Sequence, residues 1–253
     1  MSLKNPLRCK QDIEDLIGIH EKPFIKESGK LYEIMKKSYP NYKGGKDTCG
    51  YMPLYDTHLP KSINNFLEIG IGMGDSINMF RDFYKGIGSF WAMNMNWDGA
   101  GVVEKSQLQR MGFNCLHGDQ GDVNFLSTIE TKFDVIVDDG SHHSDDQIVT
   151  FKQMFVNNLV SGGLYIIEDL HCCQEEYWWR DRLSDFGDTL LAILKRFPKT
   201  TFKQFIECDV REYRWIGSSM ASRYFTEPDN KYFLNAIDKV YLYDPSIAFI
   251  WKK

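Results

Sequence analysis

The chain lacks any apolar run approaching the ~20 residues that a bilayer-spanning helix requires, so a membrane protein of that kind is not expected. It lacks paired cysteines too: its six are scattered apart from Cys172-Cys173, and none form a Cys-x-x-Cys pair. That argues against a zinc site and against a disulfide framework. Reduced thiols in a cytoplasm are the expectation. No basic stripe stands out and the net charge is −5, which disfavours nucleic acid as the main partner. There are no internal repeats and no low-complexity tracts. The opening Met1-Ser2-Leu3-Lys4-Asn5 has no apolar core followed by a small-residue cleavage site, so no signal peptide is expected.

What is present is the composition of an ordinary globular protein, 43% hydrophobic and 26% charged over 253 residues. That length suits one α/β domain with extensions, or two small domains. The expected division is a helical N-terminal extension over 1–45 and a main domain over 46–253. Ile13 to Ile19 and Leu31 to Tyr39 have helical spacing with lysines on the opposite face. Pro40-Asn41-Tyr42-Lys43-Gly44-Gly45 breaks it. Asp47 to Tyr55 is aromatic and polar, a loop leading into a helix.

Two short apolar runs end in pairs of carboxylates: Phe133-Asp134-Val135-Ile136-Val137-Asp138-Asp139-Gly140-Ser141-His142-His143, and Leu164-Tyr165-Ile166-Ile167-Glu168-Asp169. Between them Asp145 to Leu159 has a helical face of Ile148, Phe151, Phe155 and Leu159, and Val160-Ser161-Gly162-Gly163 reads as its C-terminal turn. Parallel strands joined through a helix place their C-terminal ends on one edge, where ligands bind. Like charges gathered there repel unless a proton or cation joins them. Three oxygen ligands suit a hard divalent ion such as magnesium. Asp139, Glu168 and Asp169 are the proposed ligands, and His142 the base beside them. The competing reading makes the acids solvated helix caps.

Upstream, Asn65-Phe66-Leu67-Glu68-Ile69-Gly70-Ile71-Gly72-Met73-Gly74-Asp75-Ser76 reads as a strand, a glycine turn and a helix start. The spacing is G-x-G-x-G, whereas a dinucleotide fingerprint needs G-x-G-x-x-G. Glu68 at the strand end would repel a pyrophosphate and suits an ammonium, such as that of S-adenosylmethionine. Gly70 and Gly72 would let the backbone approach the ligand closely. Ser89 to Asn96 reads as the second strand. Asn94, or else Asn96, stands where an acid usually accepts from ribose hydroxyls; both read equally as loop residues. A helix is expected from about Ala100 to Met111. After a third strand at Phe113 to His117, Asp119 or Gln120 can read an adenine edge, with a helix N-cap as the alternative for Asp119. Asp138, last in its apolar run, is placed on the cofactor side.

Trp178 and Trp179 wall a pocket or pack in the core. Leu183 to Phe197 is helical, and Val210 to Tyr224 reads as a loop. Val240 to Tyr243 and Ser246 to Trp251 form a closing hairpin around Asp244-Pro245.

With these residues the chain resembles the class I S-adenosylmethionine-dependent methyltransferases, and within them the metal-dependent sugar O-methyltransferases of macrolide antibiotic tailoring, the mycinose-pathway type with its cephalosporin hydroxylase-like relatives. The resemblance runs from about Asp47 to Asp169 and returns at the hairpin. The Asp-Asp-Gly-Ser-His string and the later Glu-Asp are its specific signal; the glycine turn is generic. It implies a Rossmann-like seven-stranded sheet with a C-terminal antiparallel hairpin. It implies magnesium on Asp139, Glu168 and Asp169, His142 as general base, and Glu68, Gly70 and Gly72 in the cofactor loop. The chain departs at Asn94, where the family usually has aspartate.

The expected function is therefore magnesium-dependent transfer of a methyl from S-adenosylmethionine to a sugar or other vicinal-diol hydroxyl, on a small-molecule or glycan acceptor. The expected partners include neither nucleic acid nor a membrane, and self-association into a homo-oligomer is left open. The rival readings are a non-catalytic cofactor-binding module and a nicotinamide-dependent oxidoreductase.

Overall fold

The computed structural model describes residues 27–42, 44–99, 101–173, 200–204, 227–244 and 246–253, with Leu190, Ile193, Leu194 and Phe197. The expected helix at Ile13 to Ile19, the loop at Val210 to Tyr224 and the tryptophans Trp178 and Trp179 lie outside the described residues. The helices are α1 (Lys30–Ser38), α2 (Met52–His58), α3 (Asp75–Phe83), α4 (Lys105–Arg110), α5 (Val123–Ser127), α6 (Ser144–Asn157) and α7 (Glu227–Ala236). The strands are β1 (Asn65–Ile69), β2 (Ser89–Asn94), β3 (Asn114–His117), β4 (Phe133–Asp138), β5 (Leu159–Ile167), β6 (Thr200–Gln204), β7 (Ile237–Asp244) and β8 (Ile247–Lys252).

The strands form one eight-stranded sheet in the order β3-β2-β1-β4-β5-β8-β7-β6. The first five are parallel, and β8 joins antiparallel to both β5 and β7. The Rossmann-like sheet and its closing hairpin are thus as the sequence predicts, with β6 added parallel to β7 at the edge.

Why β1, β4 and β5 carry apolar side chains on both faces follows from their surroundings. They are covered on both faces, so the alternation of strand side chains feeds two cores instead of a core and solvent. Leu67, Ile69, Ile136, Tyr165 and Ile167 pack with Ile148, Phe151 and Phe155 of α6. Phe66, Val135, Val137, Leu164 and Ile166 pack with Tyr55 of α2 and Phe80 of α3. Each such side chain, fully buried, contributes on the order of 1.5–3 kcal/mol. Leu31 and Met35 of α1 are buried in the second core.

One local expectation is corrected. Val160-Ser161-Gly162-Gly163 is not a helix C-terminal turn but the first half of β5. The chain enters the sheet at Leu159, opposite Phe133, and the register slips before Leu164 meets Val135. Gly162, at φ 76°, takes the left-handed conformation that this irregularity needs.

No described helix is long and apolar enough to cross a membrane. Cys49, Cys115 and Cys172 are free thiols.

Candidate active site

The register of three strands builds the rim. Ile69 pairs with Asp138, and Asp138 with Ile167, so the next residues, Gly70, Asp139 and Glu168, emerge side by side. The ladder continues one step further: Asp139 N donates to the Ile69 carbonyl (2.9 Å) and Glu168 N to the Asp138 carbonyl (3.0 Å). The sheet order reverses between β1 and β4, the switch point at which open α/β sheets bind ligands.

At this rim one ligand atom each of Asp139, His142 and Asp169 lies within 4.8 Å of the others. His142 Nε2 stands 3.9 Å from Asp139 Oδ1 and 3.8 Å from Asp169 Oδ2. All three side chains are part-exposed, at 20–26%. His142 and Asp169 hold φ of 57° and 53°, a region that costs a non-glycine residue about 1 kcal/mol or more.

Behind them sits Lys46, 1% exposed. Its Nζ lies 2.6 Å from Asp139 Oδ2, 2.7 Å from Glu168 Oε1 and 3.5 Å from Glu68 Oε1. The Tyr55 hydroxyl donates to Glu168 Oε1, and the Tyr51 hydroxyl to Asp169 Oδ1 at 2.8 Å. Four carboxylates therefore share one ammonium and one imidazole. Burial pushes Glu168 well above the ordinary carboxylate range, Asp139 adding to it and Lys46 opposing. Burial likewise raises Glu68 to about 7 against the pull of Lys46. Burial disfavours charge on Lys46, but Asp139 and Glu168 outweigh it and hold its pKa well above normal. An acid excess of this kind holds protons or a cation. Carboxylate oxygens with one imidazole are a fitting donor set for a divalent ion.

Beside the cluster is a cleft of about 380 Å³, walled by Gly70 just after β1, Asn94 at the end of β2 and Met95 after it, Asp119 and Gln120 after β3, and Gly140, Ser141 and His143 after β4. Gly72, at φ 48°, has no protein atom within 4 Å of where a Cβ would stand, which leaves open space at the glycine turn. A nucleoside with an amino-acid tail fits this combination of close backbone and polar wall.

No family model matches the chain. It is 30% identical over 141 residues to mycinamicin VI 2''-O-methyltransferase of Micromonospora griseorubida, a match covering 51% of this chain and 32% of that protein. It is 31% identical over 193 residues to a tetracenomycin-C rhamnosyl 3'-O-methyltransferase of Streptomyces olivaceus, covering 70% of this chain and 45% of that one. The fold matches MycE methyltransferase of the mycinamycin biosynthetic pathway, solved with magnesium and S-adenosylhomocysteine. The TM-score is 0.61 at 22% identity, over 89% of this chain and 55% of that chain. The chain is a relative of the antibiotic-sugar O-methyltransferases and carries their class I methyltransferase fold. It spans less than half the length of the two curated relatives.

Within this methyltransferase fold the expected site residues fall into three places. Asp139, Asp169 and His142 converge at the rim. Glu168, only 2% exposed, is turned inward to Lys46 and Tyr55. Gly70, Asn94, Asp119 and Gln120 line the cleft, whereas Glu68 and Asp138 are fully buried beneath it. Glu68 accepts from the Ser76 hydroxyl, and Asp138 accepts from Gln120 Nε2 (3.0 Å) and the Tyr165 hydroxyl (3.2 Å). Gln120 also takes Ser141 N on its Oε1 at 2.7 Å, so it braces the turn after β4. Asp119 caps the Gly121 amide at 2.8 Å and keeps its place on the cleft wall.

Lys46, Tyr51 and Tyr55 are the residues that sequence reasoning missed. Their one signal is the spacing of Tyr51 and Tyr55, four apart and so on one helical face.

Proposed function

We propose that the chain is an S-adenosylmethionine-dependent O-methyltransferase, assisted by magnesium, that acts on a sugar or other vicinal-diol hydroxyl of a glycosylated small molecule or glycan in the cytoplasm. One observation carries this reading. Within five consecutive residues, Asp139 and His142 face the acid cluster while Gly140, Ser141 and His143 wall the cleft. A methyl donor in the cleft and an acceptor at the cluster would then meet across a single turn of chain. MycE, on the same fold, was solved with magnesium, S-adenosylhomocysteine and mycinamycin VI.

The chain's own groups divide the work. Asn94 gives its Nδ2 to the Asn96 carbonyl, which leaves Oδ1 to accept from a ribose hydroxyl. Asp119 offers a carboxylate to an adenine amino group. Asp139, Asp169 and the neighbouring Glu168 are the residues that would hold the ion, and His142 takes the acceptor's proton. When bound, S-adenosylmethionine supplies an activated methyl, and the divalent ion orients two hydroxyls and makes one more acidic.

The test is calorimetry with S-adenosylmethionine, followed by turnover on a panel of glycosides with magnesium or with EDTA. The reading expects binding, and turnover that needs the ion. Absence of cofactor binding, or full turnover in chelator, would sink it. Binding without turnover on any glycoside would favour a non-catalytic module.

A further inference from the structure

The segment from Lys46 to Tyr55 touches each acid of the rim through one oxygen. Lys46 Nζ donates to Asp139 Oδ2 at 2.6 Å, and the Tyr51 hydroxyl donates to Asp169 Oδ1 at 2.8 Å, with the Ser246 carbonyl 3.4 Å away. Tyr55 and Lys46 both hold Glu168 Oε1. The remaining oxygens, Asp139 Oδ1 and Asp169 Oδ2, are the two that face His142 Nε2. Each of these two aspartates is thus split, one oxygen fixed from behind and one presented forward. A carboxylate otherwise turns easily about its last bond, and two such groups in close approach repel each other.

The segment is itself anchored. Tyr51 is 1% exposed and Tyr55 0%. The Tyr55 ring meets Phe80 edge-on at 4.9 Å and Phe249 at 5.8 Å. The hydroxyl positions are therefore set by the core of the domain, not by the acids they hold.

We propose that Lys46, Tyr51 and Tyr55 are positioning residues for the cation site: they order the back oxygens of Asp139 and Asp169 and fix Glu168 between Lys46 and Tyr55, so that Asp139 Oδ1 and Asp169 Oδ2 are aimed before the ion arrives. This rests on the reading that these acids hold a divalent ion. Partners of ligating groups typically contribute 10- to 100-fold to metal affinity. For Lys46 the sign is informative. A lysine that merely repelled the ion would, on removal, leave tighter binding. A positioning lysine leaves weaker binding, although a positive charge has gone.

The experiment titrates Mn²⁺ into the full chain and counts free ion by electron paramagnetic resonance, so no turnover is needed. Tyr51→Phe and Tyr55→Phe remove only a hydroxyl and should weaken binding ~10- to 100-fold; Lys46→Met should weaken it as well. Tyr84→Phe is the control. It loses a comparable bond, to the Pro60 carbonyl at 3.0 Å, at the other end of β1, and should bind as the wild type does. If Lys46→Met does not fold, the two tyrosine variants carry the test. No Mn²⁺ binding by the wild type would overturn the cation reading, and the proposal with it. Wild-type affinity in both tyrosine variants overturns the positioning role alone. Tighter binding in Lys46→Met removes Lys46 from the set.

Discussion

A Cβ on Gly70 would stand 1.9 Å from the carbonyl oxygen of Asp139. The glycine turn after β1 and the acidic turn after β4 are therefore in backbone contact. A disturbance of the first is transmitted to the second.

The two glycines of the turn should accordingly behave differently. Gly70→Ala must push the Asp139 backbone aside, so it should weaken both cofactor and Mn²⁺ binding and lower stability. Gly72 has nothing within 4 Å of its missing Cβ, so Gly72→Val should abolish cofactor binding and spare Mn²⁺ binding. Its stability loss should be limited to the ~1–2 kcal/mol of a left-handed side chain. Calorimetry with S-adenosylhomocysteine and an Mn²⁺ titration on each variant check this. Equal profiles for the two would show that the turn does not distinguish cofactor from cation.

The adjacent histidines offer a second separation. His142 faces the acids and His143 the cleft. His142→Ala should lower turnover ~10²- to 10⁴-fold, the range for losing a general base, with cofactor affinity nearly unchanged. His143→Ala should chiefly raise the KM for S-adenosylmethionine. Steady-state kinetics with both substrates varied give the answer, and a dead His143 variant with normal KM would move the base one residue along.

Much of this site was legible because strand ends are legible. The apolar runs of β1, β4 and β5 stop at Glu68, Asp138-Asp139 and Glu168-Asp169, and parallel topology brings such ends together. What was not legible was which way each acid turns. Asp138 sits one residue before the rim and Glu68 two, and both are buried within the sheet's layers, a matter of strand parity and of what packs above. Lys46 lies 93 residues before Asp139, and no local pattern marks a lysine that will be buried by partners so distant. The start of β5 was hidden by its glycines, which look like a helix stop until the slip opposite Phe133 shows why they are needed.

Glu168 and Asp169 are neighbours with opposite exposure, and mutation should separate them. Glu168 is buried against Lys46 and Tyr55. Removing the whole side chain leaves the buried Tyr55 hydroxyl without its acceptor and a void beside Lys46, so Glu168→Ala should lower stability by about 3 kcal/mol. Asp169 is part-exposed, so Asp169→Asn should lose Mn²⁺ affinity with little change in stability. Urea unfolding beside an ion titration checks both. A stable Glu168→Ala variant would show that Lys46 and Tyr55 do not depend on that partner.

The last expectation concerns pH and Asp138. Burial raises its carboxyl from 3.8 to about 6, with Gln120 and Tyr165 pulling the other way. The folded chain thus keeps a proton over a range in which the unfolded chain has lost it. Stability from this group is fully present below pH ~4 and is lost as pH rises to ~6, by at most about 3 kcal/mol for a shift of roughly two units. Asp138→Asn keeps an acceptor for Gln120 Nε2 and removes the ionisation. Urea midpoints from pH 4 to 8 should therefore show the variant gaining on the wild type as pH rises, with the gain complete by pH ~7. Glu68, raised to about 7, contributes a similar loss to both chains and cancels in the difference. If the two stability curves run parallel, Asp138 is ionised in the folded protein at all these pH values, and its bonds to Gln120 and Tyr165 are those of a carboxylate.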